Sequence, residues 1–230
     1  MRDDPEAVMI FAAGFGTRMG ALTAQQPKPM VKVAGRALID HTLDLLPAIA
    51  PKRVVANLHY RPERLRDHLH ARGVVTCTES PDILDTGGGL RHALPQLGGG
   101  PVYSSNCDAI WRGPNPFAEL RAAWRPEKME ALLLCVPQEN VSAHAGNGDF
   151  TLDADGRITR GPGMVYSGIQ ILKTDALAAF PEEKFSLNRL WDRLIAQGTA
   201  YGVPYSGQWC DVGTPEGIAV AEALLDRPDV

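Results

Sequence analysis

The sequence predicts an α/β fold in which a mostly parallel β-sheet carries helices on both faces. Short β-branched runs alternate with segments of helical periodicity through the first half of the 230-residue chain, and repeated strand–helix–strand units of this length build parallel sheets. The first run, residues 8–13, is apolar throughout, which is typical of a strand buried on both faces. Hydrophobic residues make up 44% of the chain, enough to bury a sizeable core in one domain.

The first half contains this alternation in full. After the first strand, apolar positions at helical spacing predict a helix over residues 37–49. The elements that follow are expected as strands at residues 53–58, 74–79, 102–105 and 131–136, and as helices at residues 62–71, 90–97 and 116–124.

The second half has a different character, with fewer helices and a small β-hairpin subregion. Ser186 is the expected N-cap of one helix, and Thr214 followed by Pro215 is a strong start for the last one. No internal repeat or linker is visible, so one domain over residues 1–230 is expected. The elements predicted here are a hairpin of residues 149–152 and 157–159, a strand at 164–172, and helices at 185–197 and from 215 to about 226.

Charge and cysteine content exclude several classes of protein. The formal net charge is −4 and no basic block stands out, which argues against a nucleic-acid partner held by bulk electrostatics. The four cysteines are scattered without a C-x-x-C pair, so neither a disulfide framework nor a structural zinc site is expected, and a reducing cytoplasm is. The first seven residues are acidic and unlike a signal peptide, and no apolar run approaches the ~20 residues of a membrane span.

A glycine turn directly follows the first predicted strand. Residues 12–19 are A-A-G-F-G-T-R-M, and glycines at such a point let backbone N–H groups approach a ligand, most often phosphate oxygens. Lys28 follows between two prolines, which restrict the backbone on either side of it. A rigidly held ammonium beside a glycine turn indicates a polyphosphate site, and a solvated lysine beside a plain β-turn is the alternative.

Two familiar phosphate-binding motifs do not fit this turn. A dinucleotide fingerprint needs a third glycine where the chain has Met19, and an acidic residue where the second strand ends at Asn57. A Walker A loop ends in Gly-Lys-Ser or Gly-Lys-Thr, and the chain contains neither sequence. Both motifs are therefore excluded.

Two aspartates stand where a metal ion could be held. Asp108 follows the fourth predicted strand, and strand carboxyl ends are where α/β sheets bind ligands. Asp211 comes just before a glycine and the last helix. Since Mg²⁺ prefers oxygen ligands and retains waters and substrate phosphates, both are candidate Mg²⁺ ligands, provided that the fold brings them together. A solvated loop position is the alternative for Asp108.

At these residues the chain resembles the sugar-1-phosphate nucleotidyltransferases, whose hallmark is L-A-A-G-x-G-T-R-M…P-K-P followed by G-x-P/A-L-I. The last stretch is G-R-A-L-I at residues 35–39, and W-C-D-V-G-T at residues 209–214 resembles a further motif of bacterial members. The resemblance spans nearly the whole chain. It implies a Rossmann-like nucleotide-diphospho-sugar transferase fold, with a nucleotide-binding half over about residues 8–136 and a sugar-binding half over about residues 137–230.

The resemblance also implies how the phosphates are held. Arg18 would contact the β- and γ-phosphates, and Lys28 the α-phosphate under attack. A phosphate oxygen of the sugar 1-phosphate is already ionised near neutral pH, so alignment and charge neutralisation are expected to suffice without a general base. The nucleotide phosphates would be bound by the glycine turn, that is by Ala13, Gly14, Gly16 and Thr17.

On the base side, the resemblance points to the stretch D-T-G-G-G-L at residues 85–90. Glycines there would let backbone groups meet the edge of the base, with Thr86 and Gly88 among the contacts. Ser80 would belong to the neighbouring wall, and Asn106 would complete the nucleotide site. From the residues alone, a flexible loop before a helix is the alternative.

On the sugar side, the segment Y-S-G-I resembles a strand that lines the family's sugar pocket. Ser167 and Gly168 would therefore contact the sugar, together with Asp149 of the predicted hairpin. Many members carry a Glu-Lys-Pro clamp just upstream for sugar and phosphate, where this chain has R-G-P-G at residues 160–163.

The missing clamp, the short chain, the T-G-G-G turn and the hairpin most resemble the N-acetylmuramate 1-phosphate uridylyltransferase group of peptidoglycan recycling. The resemblance thus implies UTP and N-acetylmuramate 1-phosphate as substrates, Mg²⁺ as cofactor, and a monomer or small homo-oligomer without a nucleic-acid or membrane partner. The alternatives are a mannose-1-phosphate guanylyltransferase, a cytidylyltransferase acting on phosphocholine, and a catalytically silent nucleotide-sugar sensor. A sensor should have lost Lys28, Arg18 or an aspartate, and all are present.

Overall fold

The computed structural model describes residues 3–227. The strands are β1 (Ala7–Phe11), β2 (Lys32–Val33), β3 (Arg36–Ala37), β4 (Arg53–Leu58), β5 (Val75–Thr78), β6 (Val102–Asn106), β7 (Ala109–Arg112), β8 (Ala131–Val136), β9 (Val141–Ser142), β10 (Phe150–Leu152), β11 (Ile158–Arg160), β12 (Val165–Leu172), β13 (Ala200–Pro204) and β14 (Gln208–Asp211). The α-helices are α1 (Leu38–Leu43), α2 (Pro62–Ala71), α3 (Asp85–Leu97), α4 (Pro116–Ala123), α5 (Leu187–Gln197) and α6 (Pro215–Leu225). Short 3₁₀ turns span Thr17–Thr23, Lys28–Met30, Leu46–Ile49, Gln138–Asn140 and Asp175–Ala179.

The central sheet has seven strands in the order β13-β8-β12-β6-β1-β4-β5. Only β12 opposes its neighbours, since it pairs antiparallel with both β6 and β8 while the other pairs are parallel. The predicted mixed, mostly parallel sheet is confirmed. The chain crosses from β1 to β4 on one side and reaches β6 on the other, so the carboxyl ends of β1 and β6 flank a switch point, where open α/β sheets bind ligands.

Two hydrophobic cores cover the two faces of this sheet. Alternate residues of β1 point to opposite faces, with Val8 and Ile10 in one core and Met9 in the other. The first core takes in apolar residues of α1, α2 and α4, and the second those of α3 and α5. The prediction of helices on both faces is therefore confirmed. A smaller cluster packs α6 against Ile110 and Cys210 of the sheet β7-β14-β9.

Several predicted elements have the expected type but different bounds. The helix expected at residues 37–49 is broken into α1 and a 3₁₀ turn, because Pro47 has no N–H and its ring would clash with the preceding turn of a continuous helix. The helix expected at residues 90–97 begins at Asp85 instead and includes the three glycines. The hairpin of β10 and β11 and the Ser186 cap, which accepts a hydrogen bond from Asn188 N, are confirmed.

Short strands account for most of what the sequence did not predict. Strands β7, β9 and β14 form a three-stranded sheet, and β13 adds the outermost strand beside β8. Two to five residues give too little periodicity to distinguish a strand from a loop. Within residues 3–227, no helix is both long and apolar enough to cross a membrane.

Candidate active site

A buried pair of polar side chains, Asn57 and Glu79, supports the start of the glycine turn through hydrogen bonds. Ala12 N, just after β1, donates a hydrogen bond to Oδ1 of Asn57 at 2.8 Å, and Nδ2 of Asn57 donates to Oε1 of Glu79 at 2.6 Å. The other carboxylate oxygen of Glu79 accepts from Leu84 N at 2.7 Å. Asn57 and Glu79 are 4% and 1% exposed, so this almost fully buried network joins the glycine turn to the segment before α3.

Gly16 brings the turn into direct contact with the lysine loop. Its φ is 63°, in the left-handed region that glycine adopts readily. A Cβ added at Gly16 would lie 2.8 Å from Cβ of Lys28, which is closer than carbon atoms can pack. The glycine is therefore required both for the backbone conformation and for the approach of Lys28, which the sequence predicted on separate grounds.

Lys28 reaches the carboxyl end of β6. Its Nζ donates to Oδ2 of Asp108 at 2.6 Å, and the lysine side chain is 12% exposed. Pro27 is extended and Pro29 lies inside the short 3₁₀ turn, so the backbone around Lys28 is restricted as expected. The structure thus places the ammonium beside both the glycine turn and the first candidate metal ligand.

Asp211 joins this group because β14 pairs with β7. Its ladder partner is Ala109, the residue after Asp108, and Val212 N donates to the carbonyl oxygen of Asp108 at 2.8 Å. Burial raises the pKa of the Asp211 carboxyl, and the negative charge of Asp108 raises it further. The cations of Lys28 and Arg18 oppose this shift only in part.

The donor set fits a hard divalent cation that shares its coordination with substrate. Burial, followed by the like charge of Asp108, raises the pKa of the Asp211 carboxyl, and a divalent ion would relieve the repulsion between the two carboxylates. Residues 3–227 contain no group of three His, Cys, Asp or Glu side chains suited to hold a metal. Mg²⁺ needs no such group, since it is commonly bound by one or two carboxylates plus substrate phosphates and waters.

Arg18 lies against the loop that follows Asp211. A Cβ on Gly213 would be 2.8 Å from Nη1 of Arg18, so the guanidinium packs on a glycine backbone. Arg18 and Thr17 are both exposed at the end of the glycine turn. The arginine is therefore available to a ligand and lies near Asp211, where its positive charge opposes the rise in the pKa of that carboxyl.

A first cavity, of about 230 Å³, lies beside the glycine turn, Lys28 and Asp108. Asp85, from the stretch predicted for the base side, also lines it, as does Asn57, to which the sequence analysis gave no site role. Thr17, Arg18 and Asp211 are not part of this lining. The predicted residues that line it are Ala13, Gly14, Gly16, Lys28, Thr86, Asn106 and Asp108.

Two residues predicted for the base side are placed differently. Gly88 is inside α3, and a Cβ there would lie 2.3 Å from the carbonyl oxygen of Glu183. The glycine allows the helix to pack on the segment before α5, and neither it nor Ser80, which is exposed, lines the cavity. Thr86 lines the cavity, and its Oγ1 accepts from Leu187 N at 3.0 Å.

A second cavity of about 330 Å³ adjoins the first. Phe11, Asp85, Thr86 and Asn106 line both, so a ligand can extend from one into the other. The walls of the second cavity come from the hairpin, β12 and α5, and Asp149 is the predicted sugar-side residue among them.

The other two predicted sugar-side residues lie behind the wall of the second cavity. Ser167 is 3% exposed, and its Oγ accepts from Ile169 N at 3.3 Å. Gly168 has a φ of 89°, and a Cβ there would lie 2.9 Å from Nδ2 of Asn106. Gly168 thus makes room for Asn106, which lines both cavities. The two residues shape the site in this structure without lining it.

Cys107 does not interfere with the carboxylates beside it. It is 4% exposed, and its Sγ donates to the carbonyl oxygen of Phe11 at 3.2 Å. Burial raises the pKa of this thiol. Cys107 is therefore a small neutral side chain hydrogen-bonded to the end of β1, and the residue lines the first cavity beside Asp108.

The sequence analysis did not foresee the hydrogen bond between Asn57 and Glu79, nor the positions of two further residues, His144 and Arg160, at the site. Nδ1 of His144 lies 3.6 Å from Oδ2 of Asp211, and Arg160 lines the second cavity. The ends of adjacent parallel strands meet, so polar Asn57 and Glu79 at two such ends were a usable signal. His144 carried no signal, because its position depends on the short pairing of β9 with β14.

The chain is similar to known nucleotidyltransferases in both sequence and structure. A family model described as the MobA-like NTP transferase domain matches residues 8–166. The N-acetylmuramate alpha-1-phosphate uridylyltransferases of Caulobacter vibrioides and Neisseria meningitidis serogroup B are 41% and 32% identical; the alignments cover 98% and 94% of this chain and 99% and 96% of those proteins. The crystal structure of HddC from Yersinia pseudotuberculosis complexed with GMP-PN superposes with a TM-score of 0.77 at 20% identity, over 96% of this chain and all of that one, which shows a shared fold.

Proposed function

This chain belongs to the family of MobA-like NTP transferases, and we propose that it transfers a uridylyl group from UTP to N-acetylmuramate 1-phosphate, releasing pyrophosphate. The reaction type is supported above all by one observation: Lys28 and Asp108 are in contact and line one cavity together with the glycine turn. The choice of nucleotide and sugar is supported by the 41% identical relative that bears this name and aligns over 99% of its length.

The first cavity would bind the nucleoside triphosphate. Backbone N–H groups of the glycine turn would contact its phosphates, with Thr86 and Asn106 farther along the wall. Lys28 would leave the Asp108 carboxylate to neutralise the α-phosphate, and Arg18 would contact the leaving pyrophosphate. Such preorganised cations lower the barrier because they stabilise charge that develops in the transition state.

Asp108 and Asp211 would hold a divalent cation, for which we propose Mg²⁺. When bound, it would supply charge neutralisation between the carboxylates and the phosphates. The attacking phosphate oxygen of the sugar is already ionised near neutral pH, so the protein need only align it with the α-phosphorus. No histidine or carboxylate among the residues that line the first cavity is required as a base.

The second cavity would bind the sugar. We propose that the two halves, about residues 8–136 and 137–230, share the work, with nucleotide groups from the first and sugar contacts such as Asp149 from the second. The product would be a nucleotide-linked cell-wall sugar, which suits peptidoglycan recycling. All four cysteines are free and buried, in keeping with work in a reducing cytoplasm. We further propose that the protein acts as a monomer or small homo-oligomer.

A matrix of substrates tests this proposal. Purified protein is incubated with each of UTP, GTP, CTP and ATP against N-acetylmuramate 1-phosphate, mannose 1-phosphate and phosphocholine, with and without Mg²⁺, and released pyrophosphate is quantified. Pyrophosphate release from UTP and N-acetylmuramate 1-phosphate, dependent on Mg²⁺, is expected to exceed that of every other pair. Faster release from GTP with mannose 1-phosphate, or from CTP with phosphocholine, would replace the proposed substrates. Release from none of the pairs would exclude the reaction.

A further inference from the structure

Arg160, the last residue of β11, is the only lysine or arginine among the described residues that line the second cavity. Its guanidinium carbon lies 4.9 Å from the ring centroid of Phe150 and 5.6 Å from that of Trp191. Cation–π contacts of this kind hold a guanidinium against an aromatic wall without consuming its N–H donors. The positive charge of the cavity is therefore confined to one point on its aromatic side.

Helix α5 fixes the orientation of this guanidinium. Nε of Arg160 donates to Oδ1 of Asp192 at 2.9 Å, and Nη2 donates to Oδ1 of Asn188 at 2.8 Å. Among the hydrogen bonds of residues 3–227, none uses Nη1. The arginine is thus preorganised by two side chains of one helix and retains a donor edge for a ligand.

The remaining charges of the cavity are negative. Asp149 and Asp85 also line it, and Oδ2 of Asp149 accepts from Tyr166 N at 2.8 Å, which leaves its other oxygen for a hydroxyl group. An anionic substituent of a ligand would be repelled by these carboxylates and attracted only at Arg160. The cavity therefore favours one orientation for a sugar that bears a negative group.

That negative group is not the transferred phosphate. Lys28 and Asp108, where the phosphate must react, line the first cavity, and Arg160 does not. Asn106 lies at the boundary and lines both. A sugar 1-phosphate with its phosphate near Asn106 therefore directs the opposite part of its ring toward Arg160.

We propose that Arg160 is a specificity-determining residue that binds a carboxylate on the sugar ring and so selects an acidic sugar 1-phosphate over its uncharged counterpart. This inference rests on the proposed function and adds the group by which the acceptor is recognised. N-acetylmuramate differs from N-acetylglucosamine by a lactyl ether that ends in a carboxylate, so the two sugars form a matched pair for the test.

The experiment measures kcat/KM with UTP and each of the two sugar 1-phosphates, and compares their ratio in the wild type, Arg160→Gln and Arg160→Lys. Arg157→Gln is the matched control, since Arg157 is on the same hairpin, forms an ion pair with Asp155 and does not line the cavity. The ratio in favour of N-acetylmuramate 1-phosphate should fall about 10- to 100-fold in Arg160→Gln, the range of a charge-assisted hydrogen bond. Arg160→Lys should keep part of the preference, and Arg157→Gln all of it.

An unchanged ratio of the two kcat/KM values in Arg160→Gln would overturn the inference. This includes the case in which kcat/KM falls equally for both substrates, which is expected if Arg160 binds the phosphate or only stabilises the fold. Isothermal titration calorimetry with the same two sugar 1-phosphates measures the preference for the acidic sugar without requiring turnover. If the wild type transfers no uridylyl group to either sugar but binds the acidic one more tightly through Arg160, the proposed reaction fails and the inference stands. Equal binding of both sugars by the wild type overturns the inference alone.

Discussion

Nζ of Lys28 lies 2.6 Å from Oδ2 of Asp108, across 80 positions of the chain. The contact joins a short turn held by two prolines to the carboxyl end of a central strand. A cation and an anion in contact in the lining of a cavity can each exchange partners when a charged ligand arrives. We expect the ammonium to move to a phosphate and the carboxylate to accept a divalent ion, so the pair in this structure marks both sites.

Replacing Lys28 with alanine should lower kcat about 10²- to 10³-fold, because one preorganised donor to the reacting phosphate contributes roughly 3–4 kcal/mol. The measurement is the steady-state rate of UTP-dependent pyrophosphate release, with the thermal unfolding midpoint recorded on the same samples. Lys32→Ala is the control, since Lys32 is exposed on the neighbouring strand β2 and should keep the wild-type rate. Wild-type turnover by Lys28→Ala would remove the lysine from the reaction.

Replacing Asp108 or Asp211 with asparagine should weaken metal binding as well as turnover. Each change retains the side-chain volume but removes half of the negative charge that attracts the ion, so kcat should fall by about 10²-fold or more. The double variant should be little worse than either single one, because residues that act as a unit are not additive.

Mn²⁺ binding, followed by electron paramagnetic resonance in the presence of UTP, reports the metal without turnover. Its dissociation constant should rise in both single variants and stay at the wild-type value in Asp175→Asn, which changes an exposed aspartate in a distant 3₁₀ turn. Wild-type Mn²⁺ affinity in Asp211→Asn would show that Asp211 is not a ligand.

The sequence predicted site residues that lie at or near strand ends, and missed placements that depend on packing between segments. Lys28 and Asp108 were predicted because a glycine turn and a carboxylate each follow a buried strand, and such ends meet at one edge of a sheet. Gly88 was assigned to the base pocket, yet a Cβ added there would meet the carbonyl oxygen of Glu183. This glycine allows the segment before α5 to approach α3, and local sequence does not reveal that approach. Arg160 was noted only as part of a missing clamp, since nothing in its local sequence places α5 beside it.

The buried pair behind the glycine turn makes a prediction about stability. Asn57→Ala leaves Ala12 N and Oε1 of Glu79 without the partner that each has in the wild type. A buried polar group deprived of its hydrogen bond costs about 1–3 kcal/mol, so the two together should lower the free energy of unfolding by about 2–6 kcal/mol. Urea unfolding measures this quantity.

Gln96→Ala is the control for Asn57→Ala, because Gln96 is an exposed residue of α3. It should change the free energy of unfolding by less than about 0.5 kcal/mol. A similarly small effect of Asn57→Ala would mean that the network contributes nothing to stability and that water replaces Asn57 at no cost.

Two glycines with nearly the same backbone conformation separate strain from site geometry. Gly16 has a φ of 63° and Gly198, the C-cap of α5, a φ of 71°. Changing either glycine to alanine should lower the stability of the protein by about 1–2 kcal/mol, because of the left-handed backbone.

The two positions differ in what a new Cβ would meet. At Gly16 it would lie 2.8 Å from Cβ of Lys28, whereas no atom lies within 4 Å at Gly198. Gly16→Ala should therefore displace Lys28 and lower kcat at least 10-fold, which corresponds to about 1.4 kcal/mol in the activation barrier. Gly198→Ala should keep the wild-type rate when both variants are measured at a temperature where they are folded. Equal rates in the two variants would show that the approach of Lys28 to the turn is not needed for the reaction.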